Sequence, residues 1–357
     1  MRIESIVREA WRDIESGAVR LPALGLILAI VFCGGVGVDV LVIRSLVDSA
    51  SRFQQIGGSV FIIQAPRRIH GPACESLNGV AGVRAAGAIR ALEEDLNPRL
   101  LPDSSLLVYE MTDSMPSVLR APTRGPGLYV SESVAEVLSL DAGARIAFND
   151  GVESVIAGVF PWDESDGRRP GFGSTALVPG RSDEPFDECW VDIWPTTSSV
   201  RDLQLLTVTA GDHEDPPQTS QLNTSMGAEF DGFRQFVERP TRWAPVGASV
   251  FALALGYLVT FRRRLEIASD LHAGATRSDV ALKHMLELAA VGVTGAALAA
   301  VGLLFFATFF RFGGGSGAVV AVWGWGSLAL SCAPVVGCAA SLLRIRERDL
   351  FRFFQRR

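Results

Sequence analysis

The sequence predicts a multi-pass α-helical membrane protein, with four transmembrane helices and a large α+β extracytoplasmic domain between helices 1 and 2. Three observations predict it. Of 357 residues, 48% are hydrophobic and only 20% are charged, and the mean hydropathy is positive; that balance belongs to a membrane protein with a sizeable water-exposed part. Four long uncharged apolar runs stand out, at 21–38, 243–261, 288–310 and 312–343. The stretch between the first two is acidic, and its apolar residues come in short bursts separated by turn signals.

Residues 1–20 place Ile3, Ile6, Val7, Ala10, Trp11, Ile14 and Ala18 at helical spacing, with arginines and acids between them. This is an amphipathic helix, either lying on the inner membrane surface or packed on the cytosolic side of the protein itself. The run that follows reads as an anchor rather than a cleaved signal. It is too long for a signal core, and the preceding residues carry as many acids as arginines. Transmembrane helix 1 is expected over 21–43.

Residues 44–242 are expected to form a stalk and an α+β domain. Leu41, Val42, Ser45, Leu46, Ser49 and Phe53 continue the helical spacing outward. Leu222, Met226, Phe230, Phe233 and Val237 repeat it before the second run, so the two read as a helical pair. Between them, 59–64, 106–109, 145–148, 154–160, 174–178 and 189–194 read as strands. Asn149-Asp150-Gly151 is a hairpin turn, and 129–140 is a helix with Ser131 as its N-cap. Residues 161–173 and 211–221 read as loops.

The second run, 243–261, is uncharged over 19 residues, about 28 Å of helix and close to the thickness of the hydrocarbon core. Residues 262–287 are short, charged and helix-prone. Helix 3 is expected over 288–310. Gly313, Gly314, Gly315, Ser316 and Gly317 read as the turn of a hairpin whose tip includes Arg311, and helix 4 follows over 318–343. Residues 344–357 form a basic tail. Lysine and arginine concentrate in 1–20, 262–287 and the tail, which sets both termini and the 262–287 loop in the cytosol. Trp243, Trp323 and Trp325 fit an aromatic belt on the opposite side.

Several chemistries are excluded. Lys283 is the sole lysine and stands in Leu-Lys-His, so the chain has no phosphate-binding loop, which needs lysine before Ser or Thr. The chain itself is expected to hold no cofactor. Cys33, Cys74, Cys189, Cys332 and Cys338 form no paired-thiol motif, and His70, His213, His272 and His284 have no ligand spacing. The acid pairs Asp183-Glu184 and Asp187-Glu188 read as a solvated face. Residues 45–242 carry 28 acids against 16 arginines, which argues against nucleic acid as a partner. Cys74 and Cys189 lie outside the membrane, where they are either a disulfide or two buried thiols.

Three pieces resemble the MacB/FtsX-like permease family, the membrane subunits of type VII ATP-binding cassette transporters. The first is Arg263-Arg264-Leu265-Glu266-Ile267-Ala268, then Leu271 and Ala273-Gly274-Ala275-Thr276-Arg277, ending at Glu287. It is similar to the family's basic pair, Glu-Ile, then Arg-Ala-Leu-Gly-Ala-Thr, with a Glu opening helix 3. The second is GLYVSESVAEVLSLDAGARIAFNDGVESVIAGVF at 127–160, and the third LNGVAGVRAA at 77–86. Where the family has Arg-Ala-Leu-Gly, this chain has Leu271-His272-Ala273-Gly274, and 161–240 carries no likeness.

The resemblance implies a dimeric permease of a bacterial plasma membrane, paired with a second copy or a homologous permease. A separate cytoplasmic ATPase would bind ATP and Mg and dock on 262–287. Arg263, Arg264, Glu266, Ile267, Asp270, Leu271, Gly274, Ala275, Thr276 and Arg277 are then the coupling residues. Lys283 and Glu287 would pair at i,i+4 on the rim of helix 3. Movement of the outer domain would export or extract a peptide, antibiotic or lipid-linked substrate, with an extracytoplasmic partner protein alongside membrane lipid. Two alternatives stand: an FtsX-like regulator of a cell-wall hydrolase, and an ATP-independent sensor or adhesin.

Overall fold

The computed structural model describes residues 3–180, 184–196, 198–210, 215–310 and 316–345. Arg311 and Gly313 to Gly315 of the expected hairpin tip, His213, Asp183 and the tail arginines beyond Ile345 lie outside them. The chain divides into two compact units, 1–48 with 232–357, and 49–231.

The first unit is helical: α1 (Ile3–Glu15), α2 (Leu21–Gln55, whose last turns belong to the second unit), α7 (Gly232–Glu238), α8 (Ala244–Arg262), α9 (Arg264–His272), α10 (Arg277–Phe310) and α11 (Ser316–Leu342). Among the described residues, four helices are long and apolar enough to cross a membrane: α2, α8 with the turn before it, α10 and α11. Helix is the form these runs take because it satisfies every backbone group internally. Leu28, Phe32, Val36 and Val40 of α2 recur every four residues and meet Ala252, Leu288, Val291 and Leu330 in one core. Phe32 sets its ring edge-on to Trp323, centroids 5.5 Å apart. Small residues bring α8 and α11 into backbone contact. A Cβ at Gly256 would overlap the Pro334 backbone, and one at Gly337 the Leu253 backbone.

The second unit is a mixed sheet with short helices. Its strands are β1 (Val60–Ile69), β2 (Val83–Ala91), β3 (Leu107–Met111), β4 (Leu128–Ser131), β5 (Arg145–Ala147), β6 (Glu153–Phe160), β7 (Thr175–Pro179), β8 (Phe186–Ile193) and β9 (Gln218–Gln221). The order is β5-β6-β4-β7-β3-β2-β8-β1-β9. β3 runs parallel to β7 and β4 to β6, and the other neighbours are antiparallel. Between the strands lie α3 (Gly71–Ser76), α4 (Met115–Val118), α5 (Glu132–Val137) and α6 (Ser198–Gln204).

Alternation along β1, β2 and β8 separates two of the three clusters of buried residues described in this unit. Ile62, Ile89 and Trp190 face one, with Met115, Phe160 and Phe172. Phe61, Ile63, Ala86 and Val191 face the other, with Leu77 and Val200. Gly87 lies under α4, where a Cβ would reach within 2.6 Å of Met115 Cα; glycine permits that approach. Cys74 of α3 is bonded to Cys189 of β8, with Cα atoms 5.9 Å apart.

Several expectations are corrected. The 129–140 stretch opens as β4, and only then does Ser131 cap α5, accepting from the Val134 N–H at 3.3 Å. Residues 77–86 lead into β2, which is not among the expected strands because its four alanines and Gly87 leave little apolar alternation. Residues 211–221 contain β9, whose polar Gln-Thr-Ser-Gln carries no apolar alternation. Helical spacing over 222–237 yields helix only at α7. Leu222 instead enters the sheet core, and its N–H bonds to Val60 O at 2.9 Å. Asn223 bridges the carbonyls of Ile56 and Asp166, and Gly227 turns the chain at φ 94°, so a helix cannot start until Gly232. The Asp187-Glu188 pair is not a solvated face. Glu188 is 7% exposed and holds Arg169 at 2.7 Å, Trp190 Nε1 at 2.8 Å and Gln64 at 3.1 Å.

The end of α2 is built into the second unit. Arg120 donates to Gln54 O at 2.6 Å, and Arg168 donates to Gln55 O at 2.7 Å, so guanidinium groups cover carbonyls that the helix leaves open. Asp192, 4% exposed, accepts from Ser59 Oγ at 2.6 Å and pairs with Arg84.

Candidate functional site

The segment 262–287 folds as a helix, a tight turn and the first turns of a second helix. α9 ends because Gly274 takes a left-handed φ of 94°. Two bonds close the turn: Gly274 N–H to Leu271 O at 3.2 Å, and Ala275 N–H to Asp270 O at 3.1 Å. That pattern satisfies the last carbonyls of a helix. Thr276 then caps α10, accepting from the Asp279 N–H at 3.2 Å. Because this cap precedes Arg277, α10 begins eleven residues before the expected start at 288.

Packing divides the expected coupling residues into two sets. Ile267 and Ala268 are buried, and Ile267 joins Val280, Ile345, Leu271 and Ala275 in a small apolar cluster. Arg264 lies over the Phe261 ring at 4.7 Å. Gly274, Thr276 and Arg277 are exposed, together with His272, Ala273 and Ser278. Ile267, Leu271 and Ala275 therefore build the turn's foundation, while His272, Ala273, Gly274, Thr276 and Arg277 form its surface.

Beneath the turn is a network of charged side chains. Arg263 sits where α8 passes into α9. It donates to Glu266 at 2.7 and 2.9 Å, to Asp13 of α1 at 3.3 Å, and to Glu287 of α10. Glu287, 2% exposed, also meets His284 Nδ1 at 3.1 Å. The expected Lys283–Glu287 pair does not form. Lys283 turns to α1 and binds Glu9 at 2.8 Å and Asp13 at 2.9 Å. Arg263 and His284 both meet Glu287 at Oε2, leaving its buried Oε1 without a hydrogen bond, whereas Glu9 and Asp13 face Lys283 one helical turn apart.

The network sets the charge states. Hydrogen bonds from Arg263 hold the Glu266 carboxyl below the usual carboxylate range. Burial pushes Asp13 up, but Lys283 and Arg263 more than offset it, and the net shift is downward. The Arg263 guanidinium, opposed by burial but favoured by Glu266 and Glu287, is held above its ordinary value. Asp270 differs: burial lifts its carboxyl above the usual range. It borders a cleft of about 370 Å3 lined also by Ile6, Glu9, Gly274, Thr276, Asp279 and Lys283.

Sequence reasoning missed the α1 contribution. Ile6 and Ala10 of α1 are buried, with α10 as its packing partner, while Ile3, Val7 and Trp11 stay exposed. The helix packs on the protein itself through its Ile6 and Ala10 face. The available signal was a sole lysine together with two acids spaced i,i+4 in the N-terminal helix. Among the described residues, no group of three or more His, Cys, Asp or Glu is placed to hold a metal ion.

No protein-family model matches the chain, and no curated protein matches it. Among solved structures, the chain is similar to the periplasmic region of MacB from Actinobacillus actinomycetemcomitans. That likeness has 12% identity and a TM-score of 0.32, over 52% of this chain and 96% of that one. It is also similar to the extracellular domain of the noncanonic ABC-type transporter YknZ from Gram-positive bacteria. Here identity is 11% and the TM-score 0.28, over 40% of this chain and 88% of that one.

Proposed function

We propose that the chain is the membrane subunit of a MacB/FtsX-like ATP-binding cassette transporter, docking a separate cytoplasmic ATPase on the turn between α9 and α10. One observation carries this reading: the turn is exposed at its tip yet braced beneath by Arg263, Glu287, Asp13 and Lys283. A connection serving only to join two membrane helices needs no such bracing. A surface that receives force from a partner does, because force passes only through groups that do not yield.

On this reading, both termini and the turn face the cytosol, and the sheet unit lies on the other side of a bacterial plasma membrane. ATP and Mg bind the partner, and two permease copies act together. Closure of the ATPases pushes α9, and α2 carries movement to the sheet through its end at Gln54 and Gln55. The output is export or extraction of a peptide, antibiotic or lipid-linked substrate. Regulation of a cell-wall hydrolase uses the same coupling and differs only in what the sheet unit meets.

The test is co-purification of the full chain with an ATPase encoded beside it. Arg277→Glu combined with Ser278→Glu reverses the exposed tip without touching the braced residues. Loss of the ATPase with unchanged thermal stability supports the assignment. Undiminished co-purification overturns it.

A further inference from the structure

A groove between α8 and α11 lies toward the N-terminal ends of both helices and holds about 450 Å3. Pro245, Val246, Val322, Gly326 and Ala329 wall it. The one hydroxyl in the wall is turned inward, since Ser249 Oγ donates to Pro245 O at 2.8 Å. Trp325 borders the groove and is 76% exposed.

Two arginines stand at the end of this trough. Arg239 is neutralised by Asp39, which accepts from its Nε at 2.7 Å. Arg242 lies over the Trp243 ring at 5.1 Å and donates to Val237 O. It is exposed and has no carboxylate partner among the described residues. The site therefore offers an open, mostly apolar groove ending in one uncompensated positive charge, beside indoles of the kind that settle at a membrane–water boundary.

We propose that this groove binds one anionic phospholipid, with an acyl chain along it and its phosphate on Arg242. Gly326 and Ala329 keep large side chains off the α11 wall, which leaves room for an acyl chain. A second copy of this protein covering the groove would bury the Arg242 charge and would have to supply a carboxylate for it. A zwitterionic headgroup brings a cation close to the guanidinium, whereas phosphatidylglycerol does not. The proposal requires only that α8 and α11 are embedded in a bilayer, and does not rest on ATPase coupling.

The experiment is native mass spectrometry of the full chain in detergent, titrated separately with phosphatidylglycerol and phosphatidylcholine of matched chains. The wild type is expected to retain one phosphatidylglycerol in preference to phosphatidylcholine. Arg242→Gln should weaken phosphatidylglycerol retention roughly fivefold, the effect of one arginine near a charged lipid surface, and leave phosphatidylcholine unchanged. Ala329→Trp should fill the groove and remove retention of both. Arg242→Gln is at an exposed position and decides the question even if the tryptophan variant does not fold. Equal retention of the two lipids, or equal binding by wild type and Arg242→Gln, overturns the proposal. So does a dimer that Ala329→Trp dissociates without changing the lipid count, which would make the groove a contact between copies.

Discussion

Arg239 closes on Asp39 across 200 residues of sequence, Nε to Oδ1 at 2.7 Å and Nη2 to Oδ2 at 3.2 Å. Asp39 is fully buried and Arg239 is 9% exposed. Thr241 adds a third donor to the same carboxylate at 2.5 Å, and Arg239 lies 4.0 Å over the Phe236 ring. α2 is thereby fixed to the turn that opens α8. Asp39→Ala should cost about 3–5 kcal/mol, because it strands a buried guanidinium. The double variant Asp39→Leu with Arg239→Met should be far milder, since no charge is left behind. Thermal unfolding of the purified chain reads both. A double variant as unstable as the single one would mean the pair is not the origin of the loss.

Lys283 holds α1 through Glu9 and Asp13, so Lys283→Met should loosen that helix without unfolding α10. Charge-assisted bonds of this kind are worth about 1.5–3 kcal/mol, and amide exchange across α1 should accelerate at least tenfold. If exchange there is unchanged, Ile6 and Ala10 alone secure the helix.

The carboxylates around the turn respond to pH with opposite signs. Asp13 and Glu266 have folded pKa values below their ordinary ones. Their stabilisation is complete only above the ordinary carboxylate range, from about pH 5 upward, and is lost as pH falls through the lower folded values. Asp270 is raised, so its contribution is present below the ordinary value and lost as pH rises through the folded one. Asp270→Asn should therefore melt higher than wild type at pH 7, with the gain vanishing at pH 3. A gain that is the same at both pH values would rule out the carboxylate as its source.

Gly274 supplies the left-handed residue between α9 and α10, at φ 94° with open space where a Cβ would stand. Gly274→Ala should cost about 1–2 kcal/mol from backbone conformation alone, and Gly274→Asn less, since asparagine tolerates that region. Thermal shift would separate the two; equal melting points would show the turn relaxing to another conformation.

The Cys74–Cys189 bond closes a loop with a sequence separation of 115. Replacing both by alanine should destabilise the sheet unit by about 4–5 kcal/mol in the chain-entropy account. The membrane helices should be unaffected. Following tryptophan fluorescence, to which Trp162, Trp190 and Trp194 of the sheet unit contribute, during denaturation with and without reductant checks this.

Strands such as β6 and β8 were legible because apolar residues repeat along them at a length that suits a strand. β9 was not, since four polar residues carry no period and earn their place only by pairing with β1. The 222–237 spacing misled for the converse reason. Leu222 and Phe230 are apolar because they meet Val60 and Phe53 in the sheet unit, not because they line one face of a helix. Within the candidate site, Gly274 and Thr276 follow local backbone rules, yet the start of α10 at Arg277 was missed because the charged residues 277–287 hid its continuity with the apolar run. The partners of Lys283 were not legible, because the acids it binds, Glu9 and Asp13, belong to α1, with Glu9 lying 274 positions away in sequence.

The sequence by itself determined what depends on near neighbours. Uncharged runs long enough to cross a bilayer, the Asn149-Asp150-Gly151 hairpin, the cap at Ser131, and the absence of a phosphate-binding loop all follow from residues a few positions apart. Only the tertiary structure decided which charges meet. Asp39 with Arg239, Arg263 with Asp13 and Glu287, and Glu188 with Arg169 join helices or strands distant in sequence. Burial makes each partner necessary, and a linear pattern does not say which element will supply it.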